Sequence, residues 1–153
     1  MKQEILENLA TTGICVIEDY YDKEFCEQAV KDIEDGLVKY PDKVQSESKE
    51  GTSGDFRLFK MENRYDTAKK FANDELLLST VSEYFGYPLL SHFVLGGKVT
   101  YNPNQQTNSG GGWHRDNRAK QVKTLVYLSD VSEENGPYLF LPNSYIFRYF
   151  IYT

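Results

Sequence analysis

Residues 110–145 read GGGWHRDNRAKQVKTLVYLSDVSEENGPYLFLPNSY, and their pattern decides the fold. Val122, Thr124, Val126 and Leu128 alternate with Lys123, Leu125, Tyr127 and Ser129, the period-two signature of a half-buried strand. Residues 130–137 then supply turn chemistry, because Asn135 tolerates positive φ, Gly136 lacks a Cβ and Pro137 fixes its own φ. The apolar run 138–141 predicts the next strand before Pro142, Asn143 and Ser144 turn the chain again. Short strands joined by such turns belong to an antiparallel sheet.

His114 and Asp116 stand just ahead of the first of these strands. On extended backbone an i, i+2 pair shares one face, so an imidazole and a carboxylate leave the chain roughly 6–7 Å apart and can converge on one metal ion. One histidine nitrogen and one carboxylate oxygen are two-thirds of the facial triad that holds Fe(II) with open positions for a co-substrate and dioxygen. A lone His-x-Asp also arises by chance, its bland counterpart being a surface loop in which Asp116 pairs with Arg115 or Arg118. The sheet that follows weighs against that reading, because it places the pair at a strand edge. The glycines at 110–112 let backbone pass close to Trp113 and the ligand pair.

The string WHRD, then K-x-x-x-Y-L-S-D-V-S-E-E-N-G-P, then L-P-N-S resembles the phytanoyl-CoA dioxygenase-like family of Fe(II)/2-oxoglutarate oxygenases, specifically over about residues 94–144. The resemblance implies an α+β chain with a double-stranded β-helix core, jelly-roll and cupin-like, flanked by N-terminal helices. It implies oxidative decarboxylation of 2-oxoglutarate to succinate and CO2, coupled to hydroxylation of an unactivated C–H bond in a small-molecule substrate. His114 and Asp116 match the family's first two iron ligands. Lys98 and Thr100 on one strand, and Lys123 and Tyr127 on another, become candidate contacts to 2-oxoglutarate or substrate. A lysine on a strand is otherwise a solvated outer-face residue, and Trp113 is either a shield for the site or a plain wall.

The departures are specific. Family members carry a distal histidine and, further on, an arginine that pairs with the far carboxylate of 2-oxoglutarate, and nothing after Tyr145 matches either. Arg148 falls too soon after the turn, and Ser144-Tyr145 stands where many relatives have Ser-His. The remaining histidine, His92, precedes a strand beside Pro88, Leu89 and Leu90, where a packed or capping role is the ordinary one. The sequence thus reads as the amino-terminal two-thirds of an oxygenase, without its C-terminal strands and with little activity alone, whether a natural truncation, an excised segment or a remnant. Residues 146–153 have an apolar strand pattern without the usual sheet partners, an open edge that a homodimer would close. Two other classes compete: a non-catalytic jelly-roll module that binds a small molecule, and a cupin-type zinc or other divalent hydrolase, which needs a further histidine or glutamate ligand.

Composition sets the outer bounds. At 153 residues a single domain, 1–153, is expected, and 40% hydrophobic content with 14% aromatic residues is enough to build a core. A net charge of −6 argues against a phosphate-binding surface of clustered Lys and Arg, so nucleic acid is not an expected partner. No apolar run approaches membrane-spanning length and residues 1–9, MKQEILENL, lack a signal-peptide core, so a cytoplasmic protein is expected. Cys15 and Cys26 form no C-x-x-C pair and read as reduced core residues.

Upstream, helices are predicted over 3–10, ending at Gly13; over about 23–39, capped by Asp22 and stopped by Pro41; and over 74–85, capped by Asn73 and ended by Gly86. Strands are predicted over 14–18, 56–60 and 93–101. Residues 42–55, rich in Ser, Lys, Glu and Gly, read as a polar loop, either a solvated connection or a substrate lid.

Overall fold

Apolar residues at three-to-four spacing fold as helices where that spacing is clearest, in α1 (Lys2–Thr11) and α2 (Lys23–Lys39) of the computed structural model, which describes residues 1–46, 54–91, 93–100, 113–114 and 121–144. The Asp22 carboxylate accepts from the Phe25 N–H at 2.8 Å and so fills one of the donors a helix start leaves open. The remaining elements are β1 (Val44–Ser46), β2 (Asp55–Phe59), α3 (Asp66–Ala72), α4 (Glu75–Phe85) and β3 (Leu95–Val99), with 3-10 turns at Pro41–Lys43, Met61–Asn63 and Glu133–Asn135. Helix and sheet are mixed, and the described strands form one antiparallel sheet in the order β1-β2-β3. The α+β expectation holds at that level.

Two compact units emerge, with the chain passing between them more than once. One comprises Tyr21–Asp74 and Leu90–Arg118. Here α2 lies on the sheet, burying Ala29, Ile33 and Gly36. The register pairs Val44 with Leu58, Leu58 with Gly96, and Phe56 with Lys98, so these residues share one face. That face meets the helix across two glycines. A Cβ on Gly36 would sit 2.2 Å from Leu58 Cδ2, and one on Gly96 would sit 2.1 Å from Met61 Sδ and 2.8 Å from Ile33 Cγ1. Glycine inside a helix costs about 1 kcal/mol relative to alanine, which the close approach to the fully buried Leu58 offsets.

The other unit comprises Met1–Tyr20, Glu75–Leu89 and Ala119–Thr153. Helix α1 packs on α4, burying Ile5, Leu9 and Thr80, while Lys2 pairs with Glu83 at 2.9 Å. Gly13 adopts φ 86° and its N–H donates back to Asn8 O, and Gly86 does the same at φ 81° toward Ser82 O, so both glycines end their helices as expected. The turn at 142–144 is also found, with Asn143 at φ 63° and its N–H on Thr12 O.

Other expectations are corrected. Residues 14–17 join no sheet ladder among the described residues and Val16 is exposed; a short apolar run does not by itself distinguish a strand from an extended connection. The expected loop 42–55 contains the 3-10 turn and β1, a strand too short to show any period; residues 47–53 lie outside the described residues. Asn73 does not start a helix. It ends α3, which the sequence reading missed, and its N–H meets the Lys69, Lys70 and Phe71 carbonyls. Residues 122–128 and 138–141 form no ladder among the described residues, and Leu125, Tyr138, Leu139 and Leu141 are exposed. Alternation marks pleated backbone but does not supply a neighbouring strand. Both cysteines are free and half-buried rather than core.

Candidate functional site

The expected metal pair opens with His114, which is exposed and follows an exposed Trp113, the protein's only tryptophan. Asp116 and His92 lie outside the described residues. Among the described residues no three His, Cys, Asp or Glu side chains gather closely enough to hold an ion.

Lys98 and Thr100 fall on or just after β3, where sequence reading put them. Lys98 is on the face that α2 covers, and its Nζ lies 2.7 Å from Glu34 Oε1 in an exposed pair. The Thr100 N–H donates to Gly54 O at 2.6 Å and its hydroxyl to the same oxygen at 3.4 Å. Gly54 has to be glycine at this approach, since a Cβ there would fall 1.9 Å from Thr100 O. Lys123 is exposed in the other unit. Tyr127, in the same unit, accepts the Tyr138 N–H on its phenol oxygen at 2.7 Å and so ties one extended run to the next.

Sequence reading missed a polar pair on the opposite face of the sheet. The register aligns Asp55 with Val99, Arg57 with Gly97 and Phe59 with Leu95. Arg57 clasps the buried Asp55 with two nitrogens, Nη2 to Oδ2 at 2.9 Å and Nε to Oδ1 at 3.3 Å. On the same face Phe59 meets Phe93 in a tilted ring contact, centroids 5.7 Å apart at 38°, and Leu95 and Val99 keep exposed surface. This face therefore joins an oriented guanidinium to apolar surface. Its only trace in the sequence is an acid and a base two residues apart in DFRLF.

A family model described as phytanoyl-CoA dioxygenase (PhyH) matches residues 9–145. The chain belongs to the phytanoyl-CoA dioxygenase family. The match spans both compact units and contains every candidate residue above. Neither a curated protein nor a solved structure matches the chain. Members of the phytanoyl-CoA dioxygenase family are in general dioxygenases dependent on iron and 2-oxoglutarate. The donors here suit that ion as far as they go: His114 is of the required type and reachable from solvent, and Asp116 is the second type at the right spacing. Within these residues the only further imidazole is His92.

Proposed function

We propose that the protein is a non-haem Fe(II)- and 2-oxoglutarate-dependent dioxygenase, a hydroxylase of a small molecule, of the kind built on a jelly-roll core. The observation that carries the reading is the His114-x-Asp116 pair within a family match that runs from residue 9 to 145. Iron, when bound, supplies activation of dioxygen and oxidative decarboxylation of 2-oxoglutarate. His114 and Asp116 hold the ion, and whichever ring nitrogen of His114 is not on the metal sets the ring's orientation through its own hydrogen bond. Trp113 precedes the first ligand in sequence and is exposed, which makes it a local reporter of the ion.

The co-substrate contacts we assign are Lys98, Thr100, Lys123 and Tyr127. For Lys98 this means leaving Glu34, and an exposed pair of that kind is worth only about 0–1 kcal/mol, so the pairing is no barrier. Tyr127 and Thr100 already hold backbone groups, which orients them without occupying all of their hydrogen-bonding capacity. The single tryptophan makes the test direct. Anaerobic Fe(II) should quench Trp113 fluorescence saturably, and His114→Ala or Asp116→Ala should weaken that binding at least about tenfold, since losing even a hydrogen-bond partner of a metal ligand typically costs about 10- to 100-fold. Identical isotherms for the parent and both variants would remove the metal pair from the reading.

A non-catalytic small-molecule binding module is the second reading, favoured by the presence of only two histidines in 153 residues. It expects 2-oxoglutarate or a substrate analogue to bind equally well with and without metal.

A further inference from the structure

A reactive arrangement unconnected with the metal pair lies at residues 132–136. Ser132 caps the 3-10 turn Glu133–Asn135 in a capping box, and both of its donors converge on one atom. The Ser132 N–H and its hydroxyl each lie 2.8 Å from Asn135 Oδ1. Asn135 is exposed, and its Nδ2 makes no hydrogen bond among the described residues. The next residue, Gly136, has φ 70° and no side chain to hinder its nitrogen, whose N–H makes a long 3.3 Å contact to Glu133 O.

We propose that Asn135 is a self-deamidation site promoted by Ser132. Gly136 N, losing its proton to solvent base, attacks Asn135 Cγ, and the electron pair of the C=O bond moves onto Oδ1. Ser132 meets that oxygen with two donors already in place, the arrangement that stabilises developing negative charge on a carbonyl oxygen. Attack has made the N–Cγ bond; collapse of the tetrahedral centre re-forms the Cγ=Oδ1 bond and breaks the Cγ–Nδ2 bond, and the solvent-facing Nδ2 takes a proton from water and leaves as ammonia, giving the succinimide. Water then opens the ring at either carbonyl, leaving an aspartyl or an isoaspartyl residue at position 135. No oxidant or reductant takes part. The product carries one more negative charge, and the isoaspartyl form also lengthens the main chain by one carbon beside Pro137 and the Tyr138–Tyr127 hydrogen bond.

The capping box has two opposite consequences for this reaction, which makes the proposal testable. If polarisation of Oδ1 dominates, the folded chain deamidates faster than the unfolded one. If restraint dominates, it deamidates more slowly. The full chain is incubated near neutral pH, folded and in urea, and the tryptic peptide 124–148 is followed by mass spectrometry for conversion of amide to acid. The expected result is faster conversion in the folded chain. Ser132→Ala should slow it by about three- to tenfold, less than the ~10²-fold or more for a buried oxyanion donor because this site faces water. Ser132→Thr, which keeps the hydroxyl, should restore the rate. Slower conversion in the folded chain, or an unchanged or faster rate in Ser132→Ala, overturns the proposal.

Discussion

At the scale of single residues, Gly36 is where helix and sheet come closest. Its Cβ position is 2.2 Å from Leu58 Cδ2, and Leu58 has no exposed surface into which to retreat. Gly36→Ala gains helix propensity but forces that contact apart, and overpacking of this kind costs about 1–3 kcal/mol. A urea titration should show a lower midpoint with an unchanged slope; a raised midpoint would mean the two elements part easily. Asp35 offers a second residue-scale prediction. Its carboxylate sits 2.9 Å from Lys39 Nζ and accepts the Tyr65 hydroxyl at 2.8 Å, so first the lysine and then the tyrosine hold its pKa below the ordinary value. The bond to Asp35, and then the charge of Asp35, push Lys39 upward, while desolvation followed by the Asp35 bond raises Tyr65. The sign for Asp35 is that of a depressed acid: its stabilisation is present above the ordinary carboxylate pKa and is lost as pH falls through the lowered one. Tyr65→Phe should raise the Asp35 pKa in a carboxyl NMR titration and Lys39→Met should raise it further. No change in either variant would mean that these bonds are not made in solution. Of the site, sequence reading captured donor types and spacing but not partners. That Lys98 reaches Glu34 depends on a helix 64 positions away in sequence folding over its strand, which no local pattern encodes.

At the scale of elements, legibility followed the length of the periodic signal. Helix α2 is 17 residues long with a carboxylate cap, and its predicted span and observed span coincide. Helix α3 has 7 residues, only Ala68 and Ala72 buried, and no side-chain cap at its start, so neither period nor punctuation announced it. Strand β1, at three residues, is defined by pairing with β2 rather than by anything in Val-Gln-Ser itself. Asn73 is ambiguous for the same reason: an asparagine between two helical segments suits the end of one as well as the start of the next, and α3 carries too little pattern to decide between them. The cap on α2 is therefore a fair test of how far local chemistry stabilises this unit. Asp22→Ala removes the acceptor of the Phe25 N–H at an exposed position, and losses of this kind typically cost about 1 kcal/mol. Equal stability to urea in parent and variant would mean that burial of Ala29, Ile33 and Gly36 alone sets the helix start.

At the scale of the whole molecule, the oxygenase reading turns on how many ligands these 153 residues can bring to one ion. Two are a histidine and a carboxylate two positions apart, and the remaining imidazole is His92. Iron held by two protein ligands keeps more coordination positions for water, so it should bind weakly and release readily. On the proposed reading, 2-oxoglutarate is also oriented by a cation at its far carboxylate, a role for which Lys98 and Lys123 are the candidates named above. The purified 153-residue polypeptide is accordingly expected to bind Fe(II) in a His114-dependent manner yet release no succinate from 2-oxoglutarate under aerobic conditions. Two further variants separate the explanations for the opposite outcome. Succinate that disappears in both His114→Ala and His92→Ala would show that the second imidazole completes the set within these residues. Succinate lost in His114→Ala but kept in His92→Ala, and rising with the square of protein concentration, would place the third ligand on a second copy of the chain. Succinate that survives His114→Ala would detach the activity from this histidine altogether, and with it the proposed chemistry of the site.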